Sequence, residues 1–294
     1  MTIRETAPAK INLALHVTGQ RSDGYHTLET LVTFSADGDV IEVAPSREDG
    51  FSMSGRFSVG LSREAGGSDG NLVLRARDAV REALAEGGIV TSPVSIALEK
   101  NLPIASGIGG GSADAAATIR ALLRHWNATL SAESLDRLSL SLGADIPMCL
   151  AGRPLIASGV GEDITLLSDM PSFSMILANP LHPVSTPQVF RTLENRNNSG
   201  LGAVPALSSA SEWIDWIASL RNDLEPPARK LTSSIGELSG LMQDSGARLV
   251  RMSGSGASCF ALYDDGEAAA AALTKLIDAR PEWYFMFTQT AAGG

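Results

Sequence analysis

Leu102-Pro103-Ile104-Ala105-Ser106-Gly107-Ile108-Gly109-Gly110-Gly111-Ser112-Ala113-Asp114, followed at once by the run Ala115 to Trp126, is the stretch on which the reading of this chain turns. Gly107, Gly109, Gly110 and Gly111 open backbone conformations closed to other residues and let amide N–H groups approach a ligand with no Cβ in the way. Ser112 suits the N-cap of a helix. Behind it Ile119, Leu122, Leu123 and Trp126 recur at i, i+3, i+4 and i+7, an apolar stripe that faces a core while the helix N-terminus points at the glycines. Unpaired N–H groups and the positive end of the helix dipole together attract a polyanion, so the stretch reads as a phosphate cradle.

Two commoner glycine signatures are absent from it. G-x-x-x-x-G-K-[ST] needs a lysine that the loop lacks, and G-x-G-x-x-G begun at Gly107 or Gly109 fails at Ser112 or Asp114. P-loop and dinucleotide-binding chemistry are thereby disfavoured. A flexible glycine turn before an ordinary surface helix is the bland alternative, and it is outweighed because the helix-start signals follow without a gap.

At 294 residues the chain exceeds a usual single core, and the glycine-rich stretch Gly152 to Gly161 suits a boundary, giving domains 1–158 and 159–294. A net charge of −10 argues against nucleic acid or an anionic membrane as partner. Met1-Thr2-Ile3-Arg4-Glu5 opens no apolar leader, and no run approaches the roughly 18 apolar residues of a membrane span, so a cytoplasmic protein is expected. Cys149 and Cys259 each lie in an apolar run and read as buried thiols without a metal or disulfide role.

Working outward from the loop, residues 10–17 alternate, with Ile11, Leu13, Leu15 and Val17 on one face and Lys10, Asn12, Ala14 and His16 on the other, which predicts a half-buried strand. Gly19 to Gly24 forms a turn and Leu28 to Phe34 the returning strand, with Tyr25 and His26 just past the tip. Strands follow at Val40 to Ala44 and Phe51 to Val59, then a polar loop from Ser62 to Gly70, a helix from Asn71 to about Ala85, and strand Val94 to Leu98. Ser131 caps a helix ended by Gly143, and Asp145 sits on the exit turn before a strand at Ile146 to Leu150. Beyond the boundary come strand Phe173 to Ala178, helices at Gln188 to Asn195 and Ser211 to Leu220, a mobile loop at Asn195 to Leu207, and a helix from Pro226 to Asp244. Strand Ala247 to Met252, the turn Ser253-Gly254-Ser255-Gly256, strand Ser258 to Tyr263, helix Glu267 to Ala279, strand Trp283 to Gln289 and a frayed tail complete an α+β chain.

Three motifs in this order, Pro8-Ala9-Lys10-Ile11-Asn12, Pro103 to Ala116, and Ser253-Gly254-Ser255-Gly256-Ala257, resemble those of the GHMP kinases, and the resemblance covers nearly the whole chain. It implies a two-domain GHMP kinase fold, with an N-terminal α/β domain like one of a ribosomal protein and a C-terminal ferredoxin-like α+β sandwich. Asp23-Gly24-Tyr25-His26, Gly143-Ala144-Asp145-Ile146-Pro147 and Asn222-Asp223-Leu224-Glu225 are similar to the branch of that family acting in isoprenoid precursor synthesis. That branch phosphorylates a small alcohol carrying a cytidine diphosphate group, using ATP and Mg2+.

By this resemblance Lys10 and Asp145 form the catalytic pair, and Pro103, Ile104, Ala105, Ser106, Gly107, Ile108, Gly109, Gly110, Gly111, Ser112 and Ala113 bind the ATP phosphates. Asn12, Tyr25, His26 and Phe190 bind the substrate, its cytosine enclosed by Tyr25, His26 and Phe190. Gly254 and Gly256 close on the phosphate loop. Ser106 replaces a small apolar residue of the family pattern and Ala113 a second serine, which removes one candidate phosphate or magnesium contact and leaves the metal ligands unassigned. The chemistry implied is in-line transfer of the γ-phosphoryl group, with Asp145 taking or orienting the hydroxyl proton and Lys10 holding that carboxylate ionised. A monomer or homodimer is expected. The alternatives are a kinase for a homoserine-, mevalonate- or sugar-type alcohol, and a non-catalytic nucleotide sensor, against which the retention of Lys10 and Asp145 argues; an NAD-dependent oxidoreductase is disfavoured by the failed fingerprint.

Overall fold

The computed structural model describes residues 1–59, 70–104 and 106–294. Ala105 and all but Gly70 of the polar loop Ser62 to Gly70 lie outside the described residues. Two compact units alternate along the chain: Met1–Ala9, Asp37–Ile104 and Gly109–Ala151 make the first, and Lys10–Ala36, Ala105–Ile108 and Gly152–Gly294 the second. The strands β1 (Ile3–Gln20) and β2 (His26–Pro45) each contribute one end to each unit.

In the first unit the C-terminal end of β2 and the short β3 (Gly50–Ser54) both pair with β4 (Val94–Glu99), the former antiparallel and the latter parallel. Ile41, Val43, Ile96 and Leu98 are buried at alternating positions, as a sheet with one covered face requires. Among the described residues the helices of this unit are α1 (Leu72–Glu86), α2 (Gly110–His125), α3 (Ala132–Leu142) and α4 (Ile146–Ala151). Asn71 caps α1 by accepting the Val73 N–H at 2.9 Å, and the buried face is Val73, Ala76, Val80 and Leu84. On α2 the face toward the core is mostly alanine (Ala113, Ala115, Ala116, Ala117 and Ala121), which lets α1 approach closely.

Two expectations fail here. Ser112 is not the N-cap of α2; the cap is Gly109, left-handed at φ 62°, and Ser112 lies inside the first turn. The segment after Asp145 is helix and not strand: Cys149 N–H returns to the Asp145 carbonyl at 3.1 Å, and Pro147 falls at the second helical position, where a missing N–H costs nothing. A six-residue apolar run carries no periodicity that separates the two.

In the second unit the N-terminal end of β2 pairs with β5 (Leu155–Gly159), which pairs with β6 (Asp163–Leu166). The glycine-rich connection thus contains a hairpin, with Gly159 and Gly161 at φ 73° and 113° making its turn. The rest is a four-stranded antiparallel sheet of β7 (Ser174–Asn179), β8 (Leu249–Met252), β9 (Cys259–Tyr263) and β10 (Tyr284–Gln289) in the order β10-β7-β9-β8. Its helices are α5 (Thr186–Thr192), α6 (Ala210–Ser219), α7 (Glu225–Leu231), α8 (Ser233–Asp244) and α9 (Gly266–Ala279). Ile176, Ala178, Cys259 and Ala261 of the sheet pack with Ile235, Leu238 and Met242 of α8 and Ala269, Ala272 and Leu276 of α9.

The single helix read from Pro226 to Asp244 is two, parted by Thr232 in extended backbone at φ −146°, a β-branched residue before two serines being a poor helix interior. The segment read as a mobile loop is tied down, Asn198 donating from its N–H to the Val17 carbonyl at 3.0 Å and Leu201 to Glu29 Oε2 at 2.8 Å. The tail is no frayed end either, since Ala291 N–H meets the Phe34 carbonyl at 2.7 Å and Gly293 N–H that of Met170 at 2.8 Å. Both cysteines are buried and free, and burial pushes the Cys259 thiol up to about 12.

Candidate active site

In the second unit β1 carries Lys10 and Asn12, and the strand is buried on both faces where one exposed face was expected: Lys10 is 5% and Asn12 3% exposed. The edge of the strand that carries their N–H groups meets the loop 253–258 and the glycine loop. Asn12 Nδ2 donates to Thr30 Oγ1 at 2.8 Å, which turns its Oδ1 toward the Lys10 ammonium at 3.4 Å. Lys10 N–H bonds the Ile108 carbonyl at 2.9 Å, and Asn12 N–H the Ser253 hydroxyl at 3.0 Å.

Gly107 and Gly254 sit where a side chain has no room. A Cβ on Gly107, at φ 75°, would fall 2.7 Å from the Ser253 carbonyl oxygen and 2.8 Å from Gly256 N; one on Gly254 would fall 2.7 Å from the Gly107 carbonyl oxygen. The turn 253–256 therefore closes on Gly107 backbone against backbone. Asn222 holds that turn, its Nδ2 donating to the carbonyls of Met252 and Gly254, both at 2.8 Å.

His26 and Phe190 come together as a stacked pair, centroids 4.7 Å apart and planes at 23°. His26 Nε2 is buried and finds no hydrogen-bond partner among the described residues. Burial, and after it the Arg196 charge, holds this imidazole below its ordinary pKa, so it is neutral at neutral pH, with one nitrogen donating and the other accepting. Tyr25, by contrast, is 68% exposed and does not join that stack.

In the first unit the helix α2 begins directly after Gly109, and no side chain caps its first turn. Its N–H groups keep their capacity for an anion. Behind the first helical residue lies a group that sequence reasoning missed. Lys100, buried at the end of β4, bonds Asp39 Oδ2 and, at 2.9 Å, Asp114 Oδ2. Asp39 Oδ1 accepts from Asn101 N–H at 2.5 Å and Leu102 N–H at 2.8 Å, while Asp114 Oδ1 is buried without a partner among the described residues. A Cβ on Gly110 would stand 3.1 Å from the Lys100 ammonium, so that charge lies directly behind the start of α2.

Burial pushes the Asp114 carboxyl up to about 7, with Lys100 pulling it back and the Asp39 charge adding to the rise. Burial disfavours the Lys100 ammonium, yet the charges of Asp114 and Asp39 outweigh it and hold its pKa raised. The signal available in the sequence was a carboxylate, Asp114, set in an apolar alanine-rich helix four residues before Thr118, whose hydroxyl bonds the Asp114 carbonyl. Asp145 immediately precedes α4, its carbonyl engaged by Cys149.

A glycine-lined loop and an uncapped helix start fit the phosphates of a nucleotide. Family models match on both sides of the chain: the GHMP kinases N terminal domain over residues 71–153, and the GHMP kinases C terminal over residues 201–281. The chain belongs to the GHMP kinases, a family of ATP-dependent kinases. Among its relatives, 4-diphosphocytidyl-2-C-methyl-D-erythritol kinase of Agrobacterium fabrum is 59% identical over 97% of this chain and 95% of its own. The enzyme of that name from Rhizobium johnstonii is 55% identical over 100% of this chain and 95% of its own. A crystal structure of 4-(cytidine 5'-diphospho)-2C-methyl-D-erythritol kinase matches with a TM-score of 0.80 at 32% identity, covering 99% of this chain and 100% of that one. Homoserine kinase from Cytophaga hutchinsonii, at 17% identity and a TM-score of 0.67 over 99% of this chain and 95% of its own, shares the fold.

Proposed function

We propose that this chain transfers the γ-phosphoryl group of ATP to the 2-hydroxyl of 4-diphosphocytidyl-2-C-methyl-D-erythritol, in the non-mevalonate route to isoprenoid precursors. The observation that carries the substrate is the His26 ring, stacked on Phe190 with its Nε2 buried and without a hydrogen-bond partner among the described residues. A flat base extends an aromatic stack, and a neutral imidazole edge discriminates cytosine from uracil because their donor and acceptor patterns differ at that edge. The curated relatives that share more than half of their residues with this chain support the same substrate.

In this reading Asp145 accepts or orients the proton of the attacking hydroxyl, and Lys10 stabilises charge on the transferring group. Asn12 keeps the Lys10 ammonium in place through its Oδ1. The β- and γ-phosphates lie against backbone N–H groups of the glycine loop, with Gly254 and Gly256 closing on it. A Mg2+ ion bound with the nucleotide would neutralise part of the phosphate charge. No group of three His, Cys, Asp or Glu able to hold a metal occurs among the described residues, and the metal ligands stay unassigned. The division at residue 158 into a phosphate-binding half and a closing half is supported by the two family models, which match on either side of it. A cytoplasmic monomer or homodimer completes the proposal; no helix among the described residues is long and apolar enough to cross a membrane.

ATP consumption across a panel of alcohols tests it. Turnover of the cytidine-linked alcohol well above its uridine analogue and above methylerythritol phosphate is expected, since an unmatched buried edge costs about 1–3 kcal/mol, or roughly 5- to 150-fold. Equal turnover of all three would leave the family membership standing and remove the named substrate.

A further inference from the structure

The edge of β1 that carries the N–H groups of Lys10 and Asn12 meets the glycine loop in two unlike ways. Successive N–H groups of one strand edge are two residues apart, so these two point the same way. Lys10 N–H reaches the loop directly, at the Ile108 carbonyl, 2.9 Å away. Asn12 N–H does not. It bonds the Ser253 hydroxyl at 3.0 Å, and that hydroxyl donates in turn to the Gly107 carbonyl at 3.2 Å. One side-chain oxygen therefore stands as a spacer between the strand and the loop, and it uses both its donor and its acceptor capacity.

Ser253 is fully buried, and its backbone is fixed as well: its N–H bonds the Ser258 carbonyl at 2.9 Å and its carbonyl takes Gly256 N–H at 3.0 Å. Asn222 anchors the residues on either side through the carbonyls of Met252 and Gly254, while its own Oδ1 accepts Leu224 N–H at 3.0 Å. Glu225 Oε2 accepts Met252 N–H at 3.1 Å. Both side-chain polar atoms of Asn222 are thus engaged with backbone.

We infer that Ser253, held in place by Asn222, is a positioning residue that sets the separation between the glycine loop at Gly107 and the strand carrying Lys10. Its effect reaches the reaction through the placement of Lys10 relative to the bound phosphates. The inference rests on the kinase reading above.

Ser253→Ala removes the bridge, whereas Ser253→Thr keeps the hydroxyl. Displacement by about 1 Å of a group acting in the transition state costs on the order of 10²-fold, so kcat of Ser253→Ala is expected to fall at least about tenfold. KM for ATP and for the alcohol should stay within about threefold, because the binding contacts themselves remain. Ser253→Thr should recover most of kcat. Asn222→Ala, which leaves the serine in place but frees its turn, should show the same split. Hydrogen exchange at the Asn12 amide supplies a readout independent of any substrate: slow in the native chain and in Ser253→Thr, fast in Ser253→Ala. An unchanged kcat in Ser253→Ala, or unchanged Asn12 exchange, overturns the inference. Inactivity of the native chain toward the cytidine-linked alcohol would instead sink the substrate reading, while the exchange measurement still decides whether the bridge holds the strand.

Discussion

Asp145 has its carbonyl tied to α4, and the proposed reaction gives its side chain the proton of the substrate hydroxyl. Asp145→Asn keeps the shape and removes the base, so kcat is expected to fall by about 10²-fold or more with ATP affinity nearly unchanged, general-base contributions running at roughly 10²–10⁴. A loss under about fivefold in single-turnover chemistry would take Asp145 out of that role. For the base pocket, Phe190→Ala deletes the ring on which His26 lies, and KM for the cytidine-linked alcohol should rise by about 1–3 kcal/mol in free-energy terms while KM for ATP holds. His16 offers a test that needs no substrate. Its Nε2 accepts Arg221 N–H at 3.2 Å, so Nδ1 carries the proton and donates to the Ser199 carbonyl at 3.1 Å. Burial, and after it the Arg221 charge, lowers the His16 pKa from 6.5. The unfolded chain then binds this proton more readily, so the contribution is present above pH 6.5 and is lost as pH falls below it. His16→Gln should flatten the decline in Tm between neutral pH and about pH 5 relative to the native chain; an equal decline in both would assign the pH dependence elsewhere.

At the scale of elements, Lys100, Asp39 and Asp114 join the end of β4, the middle of β2 and the second turn of α2. Lys100→Met strands two carboxylates in the interior and is expected to cost about 3–5 kcal/mol in denaturant unfolding, as for other broken buried pairs. Asp114→Asn should cost far less at neutral pH, because a carboxyl raised to about 7 spends much of its time protonated already. Equal costs for the two would show instead that Asp114 is ionised and that its charge is needed to hold the lysine. Gly110→Val pushes a branched side chain into the space 3.1 Å from the Lys100 ammonium and over the first turn of α2. ATP affinity should drop by about tenfold or more in isothermal titration, with the alcohol still bound; unchanged affinity in a folded variant would move the nucleotide elsewhere.

Much of this was open to sequence reasoning because local rules coincided. Asn71 and Ser131 cap the helices they were assigned, and the strand at residues 10–17 lies within β1. Where the sequence misled, a non-local contact had decided the matter. Ser35-Ala36-Asp37-Gly38-Asp39 has turn composition, yet β2 runs straight through it, and Gly38 is there because a Cβ would fall on the Ala7 carbonyl. Ser112 was misassigned as a cap because a left-handed glycine needs no side-chain signature. Lys10, Asn12, His26 and Phe190 were singled out from the family pattern and Ser253 only as part of its third motif, whereas the buried cluster of Lys100, Asp39 and Asp114 was not read at all. A lysine at a strand end and a serine in a turn look like surface until the chain that covers them is in place.

Across the whole molecule, neither unit is a continuous length of chain. The first draws its last residue at Ala151, while the second needs Lys10–Ala36 together with everything from Gly152 onward. The ribosome releases residues from the N-terminus, so the first unit has all its parts when barely half of the polypeptide exists. The strand segment with Asn12 and His16 is made among the earliest, but its partners Ser253 and Arg221 emerge only some two hundred residues later. During that interval a strand destined for burial on both faces stands without cover, which is the condition under which nascent chains recruit chaperones. Slowing translation between Ala151 and Arg221 should therefore lower the soluble yield of this protein more than an equal pause placed before Asn12 is made.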